Sequence, residues 1–146
     1  MKWLIDLLRI KSWIKNGFLF LPLVFAMKLL SFDLFSKTIL AFLSFSFACS
    51  FIYILNDVFD AEKDKLHPRK KDRPIPSGAV SKSMALGIAI FLLLLSVGIS
   101  LFFKLNLQFL FITLLYVVLN VAYTLLLKRI NLIELFVVAV NFVLRV

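Results

Sequence analysis

Asn56-Asp57-Val58-Phe59-Asp60-Ala61-Glu62-Lys63-Asp64 closes a long apolar segment, and with Asp72 it holds five of the chain's eight carboxylates. Wound as a helix at about 100° per residue, it places Asp57, Asp60 and Asp64 within roughly 60° of one another. Asn56 widens that arc to roughly 100°, and Glu62 points to the other side. Three carboxylates on one face repel one another until a cation neutralises them. One or two carboxylates plus phosphate oxygens form the ligand set Mg²⁺ prefers. The face therefore reads as a metal-diphosphate site with Asp57, Asp60 and Asp64 as metal ligands. The competing reading is a solvated acidic turn beside a membrane.

Alternating steps of four and three upstream from Asp64 reach Asp60, Asp57, Tyr53, Ser50 and Ser46, so one polar stripe runs from inside the apolar segment into the acid cluster. A solvated turn does not need such a stripe. Lipid cannot satisfy polar groups, so the stripe is expected to face protein interior or a water-filled cavity.

The 146 residues are 62% hydrophobic and their mean hydropathy is +1.02, which excludes an ordinary soluble domain. Apolar runs long enough to cross a bilayer recur, and the chain reads as a polytopic, all-α transmembrane helix bundle forming one domain. The lone Cys49 excludes an internal disulfide and reads as a small core residue. The net charge of +9 lies in loops, which points to anionic lipid or a phosphate substrate and away from nucleic acid.

In chain order, residues 1–15 alternate apolar and basic side chains and suit a short helix in the headgroup region. Spans are expected at about residues 17–30, with a kink at Pro22, then 37–56, 84–103, 107–127, and a fifth from about residue 132. Residues 57–83 carry the acids and then a structured loop, since His67-Pro68 and Arg73-Pro74-Ile75-Pro76-Ser77-Gly78 stop any helix. With the amino terminus inside, only Lys28, Lys37 and Lys104 fall outside and Arg145 lies within the fifth span. All other Lys and Arg, of 17 in total, fall inside. The acid cluster, the basic loop and Lys128-Arg129 thus share the cytoplasmic face.

The last two spans repeat the striping, with Tyr116, Asn120 and Tyr123 leading to Lys128, and Glu134, Asn141 and Arg145 on one line. Tyr116, Asn120 and Asn141 suit interhelical hydrogen bonding, and the costlier Glu134 and Arg145 a functional or paired role. An acid face ringed by Lys and Arg suits a diphosphate, whose departing charge metal and cations stabilise in a water-poor cavity. Arg69, Lys70 and Lys71 read equally as attraction to anionic headgroups. Arg73, beside the prolines, is the better phosphate contact.

Asn56-Asp57-x-x-Asp60-x-x-x-Asp64 resembles the first aspartate-rich motif of the UbiA superfamily of intramembrane prenyltransferases. Arg9-Ile10-Lys11-Ser12-Trp13-Ile14-Lys15-Asn16, the His67 to Gly78 loop, Tyr123 to Lys128 and Phe142-Val143-Leu144-Arg145 are similar to its decaprenyl-phosphate phosphoribosyltransferase-like branch. The resemblance covers essentially the whole chain. It implies a Mg²⁺-dependent transferase in a bacterial-type inner membrane that moves a phosphoribosyl group from 5-phosphoribosyl diphosphate to a polyprenyl phosphate. Asp57, Asp60 and Asp64 would hold Mg²⁺, with Asp57, Asp60 and Lys128 closest to the reaction. Lys15, Asn16, Asn56, Arg73, Tyr123, Glu134 and Arg145 would surround the substrates.

The superfamily fold has nine membrane helices and a second aspartate-rich motif. Glu134 is the only acid after Asp72 in this chain, which reads as an amino-terminal fragment. It is expected to be inactive alone and to need its later half or a companion chain. Two other readings stand beside this one. One is prenyl transfer from a prenyl diphosphate to an aromatic acceptor. The other is a small non-enzymatic membrane protein or transporter subunit.

Overall fold

The computed structural model describes residues 2–127, in which every regular element is a helix. α1 spans Lys2–Leu8, a 3-10 helix Ile10–Phe20, α2 Leu21–Phe25, α3 Phe32–Lys65, α4 Lys82–Phe102 and α5 Leu107–Ala122. The last continues as a wider π turn over Tyr123–Leu127. Three helices are long and apolar enough to cross a membrane, namely Phe32–Lys65, Lys82–Phe102 and Leu107–Leu125. They correspond to the second, third and fourth expected spans. The fifth lies outside the described residues.

Two expectations near the amino terminus need correction. The first span, expected over residues 17–30, is not one helix. The 3-10 helix ends at Phe20, and Pro22 sits in the first turn of the five-residue α2, where its missing N–H leaves no bond unmade. The chain then turns at Met27, whose φ is 52°. The interfacial helix expected over residues 1–15 stops at Leu8, because Arg9 adopts φ 50° and ψ 46° and redirects the chain onto α3. Leu7 is buried by that docking, while Trp3, Leu4 and Ile5 stay exposed.

α3 is the central element, and α4 packs antiparallel along it through small side chains. Ala85, Ala89, Leu92, Ser96 and Ser100 of α4, at steps of three and four, are buried in that seam. Without a hydrophobic drive between helices in lipid, close backbone approach and polar contacts hold such a pair. The Ser44 hydroxyl meets the Ser96 carbonyl at 2.9 Å and the Ser100 hydroxyl at 2.9 Å. At the other end Lys82 donates to Glu62 at 2.8 Å, on the side of α3 opposite the aspartates. α5 joins through Phe45 and Tyr116, whose ring centroids are 4.9 Å apart. Ser81 and Asn106 cap α4 and α5, accepting from the Met84 and Gln108 amides.

Candidate functional site

The polar stripe of α3 faces protein interior, and its partner is the amino-terminal segment. The Trp13 indole N–H donates to Ser50 Oγ at 3.0 Å, and the Ser50 hydroxyl donates to the Leu8 carbonyl at 2.7 Å. The Asn16 amide donates to Ser46 Oγ at 2.9 Å. A 3-10 helix makes this register fit. Three residues from Trp13 to Asn16 rise about 6 Å at roughly 2.0 Å each, and the four residues from Ser46 to Ser50 rise about 6 Å at roughly 1.5 Å each. Running antiparallel, the segment reaches Asp57 with Arg9, whose Nη2 lies 2.5 Å from Asp57 Oδ1. The Arg9 guanidinium also sits 5.0 Å from the Tyr53 ring centroid, a cation–π contact.

Beyond Asp57 the stripe becomes the acid cluster. Asp57 is 3% exposed and Asp64 2%, a burial that charged carboxylates tolerate only when paired. Arg73 supplies the pairing, with one Nη1 donating to Asp57 Oδ1 at 3.0 Å and to Asp64 Oδ2 at 2.7 Å. Lys70 Nζ adds a contact to Asp64 Oδ1 at 3.6 Å. Carboxylates seven residues apart on one helix are thereby brought to a single nitrogen atom.

The loop after α3 is built to hold Arg73 there. Pro74, Ile75, Pro76 and Val80 are buried, and the Ser77 and Val80 amides donate to the Arg73 and Pro74 carbonyls at 2.9 Å each. Gly78 closes the turn at φ +81°, a conformation that other residues rarely adopt.

The remaining expected residues distribute as follows. Asn56 accepts from the Thr124 hydroxyl at 2.5 Å, which ties the acidic end of α3 to the end of α5. Asp60 is partly exposed one turn from Asp57, and Tyr123 is partly exposed at the start of the π turn. Asn16 is only 1% exposed, and its carbonyl oxygen also receives the Cys49 thiol at 3.8 Å. Its side chain is thus engaged in joining the amino-terminal segment to α3. Lys15 is exposed on another face of the 3-10 helix. Lys128, Glu134 and Arg145 lie outside the described residues.

Among the described residues no three His, Cys, Asp or Glu side chains are grouped to hold a metal ion unaided. The structure brings Asp57 and Asp64 together, with a guanidinium between them. Sequence reasoning did not single out Arg9 and left Lys70 open to a headgroup role. The available signal for Arg9 was its place at the head of a segment whose polar residues recur at three-residue spacing.

A helical membrane protein whose central helix ends in buried, arginine-bridged aspartates is the class that fold and site define. The sequence matches the UbiA prenyltransferase family over residues 18–146, and the chain belongs to that family. It is 39% identical over 101 residues to a decaprenyl-phosphate phosphoribosyltransferase of Corynebacterium glutamicum, covering 66% of this chain and 30% of that protein. It is 34% identical over 146 residues to a protein of the same name from Mycolicibacterium smegmatis, covering 97% and 45%. A structure described under the biosynthesis of digeranylgeranylglyceryl phosphate synthase in membranes superposes with a TM-score of 0.82 at 25% identity, covering 99% of this chain and 51% of that one. The chain spans less than half the length of those two curated relatives.

Proposed function

We propose that this chain forms the donor-binding half of a transferase that moves a phosphoribosyl group from 5-phosphoribosyl diphosphate to a polyprenyl phosphate. In this reading the acidic end faces the cytoplasm of a bacterial-type inner membrane. The observation that carries the reading is the convergence of Asp57 and Asp64 on one Arg73 nitrogen, with Arg9 and Lys70 alongside. Two carboxylate oxygens that already share one cationic atom fit Mg²⁺ when phosphate oxygens complete the shell. Asp57 and Asp64 would hold it, with Asp60 on the adjoining turn. When bound, Mg²⁺ supplies neutralisation of the charge that develops on the departing diphosphate.

The chain's own residues then divide the work. Arg73 and Lys70, released from the carboxylates as the donor enters, turn to its phosphate oxygens, and the Arg73 fork suits bidentate contact. Arg9 stays at the edge of the cluster, held over Tyr53, and takes the ribose phosphate. A prenyl donor has no such third phosphate, so this extra cation favours phosphoribosyl over prenyl transfer. The acceptor's phosphate oxygen, already ionised, attacks the anomeric carbon while the bond from that carbon to diphosphate breaks, and no general base is required. Asn56, through Thr124, keeps the end of α5 and the start of the π turn close to the donor. Lys15, Lys128, Glu134 and Arg145 remain expected contacts to phosphates and substrate. The remainder of a longer chain or a companion chain would complete the cavity.

The test uses membranes carrying the full-length protein, labelled 5-phosphoribosyl diphosphate, a polyprenyl phosphate and Mg²⁺. Label entering the lipid phase in the wild type, and lost in Asp57→Asn, Asp64→Asn and with EDTA, supports the reading. Transfer only from a prenyl diphosphate to an aromatic acceptor refutes it in favour of the sister chemistry.

A further inference from the structure

The end of the bundle away from the aspartates holds a cavity of about 960 Å³, which the transferase reading does not use. Leu19 and Leu23, then Phe45 of α3, then Phe109 and Ile112 of α5 give it an apolar wall, and Lys28, Lys37 and Lys104 border it. Lys37 is neutralised by Asp33 at 2.8 Å. Lys28 and Lys104 therefore set the local charge. They come from different turns, one before α3 and one between α4 and α5, so the fold has brought them together.

Both turns are held in unusual backbone conformations. Met27, next to Lys28, has φ 52°, and Lys104 itself has φ 48°. Each is the residue just past a helix end, of α2 and of α4, where a left-handed conformation closes the helix. Backbone bonds fix both: the Lys28 amide donates to the Leu23 carbonyl at 3.1 Å and the Leu105 amide to the Ser100 carbonyl at 2.9 Å. The rim lysines are thus carried on defined turns.

Two cations over an apolar wall complement a molecule with an anionic head and a hydrocarbon tail. The position selects its source. Twenty residues of α3 separate Lys37 from Asp57, about 30 Å of helix, which is roughly the thickness of a hydrocarbon core. The rim therefore lies at the headgroups of the leaflet opposite the aspartates, and the wall lies at the depth of that leaflet's chains. The volume falls within the range of pockets that enclose small ligands.

We propose that this cavity is a binding site for an anionic phospholipid of that leaflet, with its phosphate on Lys28 and Lys104 and one acyl chain along Leu23, Phe109 and Ile112. The site is independent of the transferase reading and stands whichever donor the aspartates take.

The experiment uses the full-length protein in nanodiscs of phosphatidylcholine with a minor share of phosphatidylglycerol bearing a photoreactive group on one acyl chain. Phosphatidylglycerol is expected to label peptides containing Leu23, Phe109 and Ile112. Lys28→Gln with Lys104→Gln should weaken its apparent affinity roughly thirtyfold, about fivefold for each lysine. Lys28→Arg with Lys104→Arg should retain binding, which separates loss of charge from loss of fold. Equal labelling by a phosphatidylcholine probe, or labelling untouched by the glutamine pair, overturns the proposal. Photoreactive side chains at Phe109 and Ile112 that capture a later segment of the same protein in place of lipid overturn it as well.

Discussion

Replacing Arg73 with Gln tests whether one guanidinium is the counterion of two buried carboxylates. A hydrogen bond to a charged group contributes about 1.5–3 kcal/mol, and removing one partner of a buried pair costs about 3–5 kcal/mol. Arg73 makes two such bonds, at 3.0 and 2.7 Å, but its side chain is 30% exposed. Arg9 still faces Asp57, and Lys70 still faces Asp64, in the variant. After solvent screening and these partial replacements the expected loss is about 2–3 kcal/mol. For a full-length protein of about 300 residues, with an unfolding entropy of about 2.1 cal/mol/K per residue, that lowers the melting temperature by roughly 3–5 °C. The assay is thermal unfolding of the full-length protein in detergent, with and without Mg²⁺.

The sign of the metal effect carries the reasoning. In the wild type a cation must displace Arg73 to reach both carboxylates, whereas in Arg73→Gln the two oxygens have lost that competitor. Mg²⁺ should therefore stabilise the variant more than the wild type, by up to about 2.7 kcal/mol at a hundredfold excess over its Kd. A variant that melts with the wild type, and gains no more from Mg²⁺, would refute Arg73 as the shared counterion.

Arg9→Gln is expected to raise KM for the phosphoribosyl donor about tenfold, the effect of roughly 1.4 kcal/mol. Little change in kcat should accompany it; because Arg9 also pairs with buried Asp57, some stability is lost in either case, and a purely structural role would leave KM for the donor unchanged. Asn16→Ala and Ser46→Ala should each lower stability by about 1 kcal/mol and couple by at least about 0.5 kcal/mol in a double-mutant cycle, read from thermal unfolding. Gly78→Ala forces a Cβ into φ +81°. It should destabilise the loop by about 1 kcal/mol or more and raise its amide hydrogen exchange.

The parts of the site that follow one helix's periodicity were legible in the sequence. Ser46, Ser50, Tyr53, Asp57 and Asp64 share a face because α3 is regular through all of them, and Glu62 points away to Lys82 for the same reason. What the stripe faces could not be read that way. Trp13 and Asn16 lie three residues apart, and a helical reading at 3.6 residues per turn sets them about 60° from each other, whereas a 3-10 helix aligns them. The break at Arg9 also carries no compositional signal, since a left-handed arginine looks like any other. The first span failed because Pro22 marks a change of helix type as readily as a kink within one span. Lys70 depended on how the loop folds back, which is a tertiary outcome of burying Ile75 and Val80.

The serine cluster between α3 and α4 has a mechanical meaning. Ser44 donates to the Ser96 carbonyl, and the Ser100 hydroxyl, 2.9 Å from Ser44 Oγ and 3.1 Å from that carbonyl, donates to one or the other. Sliding α4 by one turn would break all the contacts to Ser44 together in a seam that water does not reach, so the hairpin moves as one body. Any rearrangement that admits a donor must then take place at its two attachments, the amino-terminal segment and the turn-rich loop bearing Arg73. Spin labels across the α3–α4 seam should keep their separation on donor binding, while pairs from either attachment to α3 should change theirs.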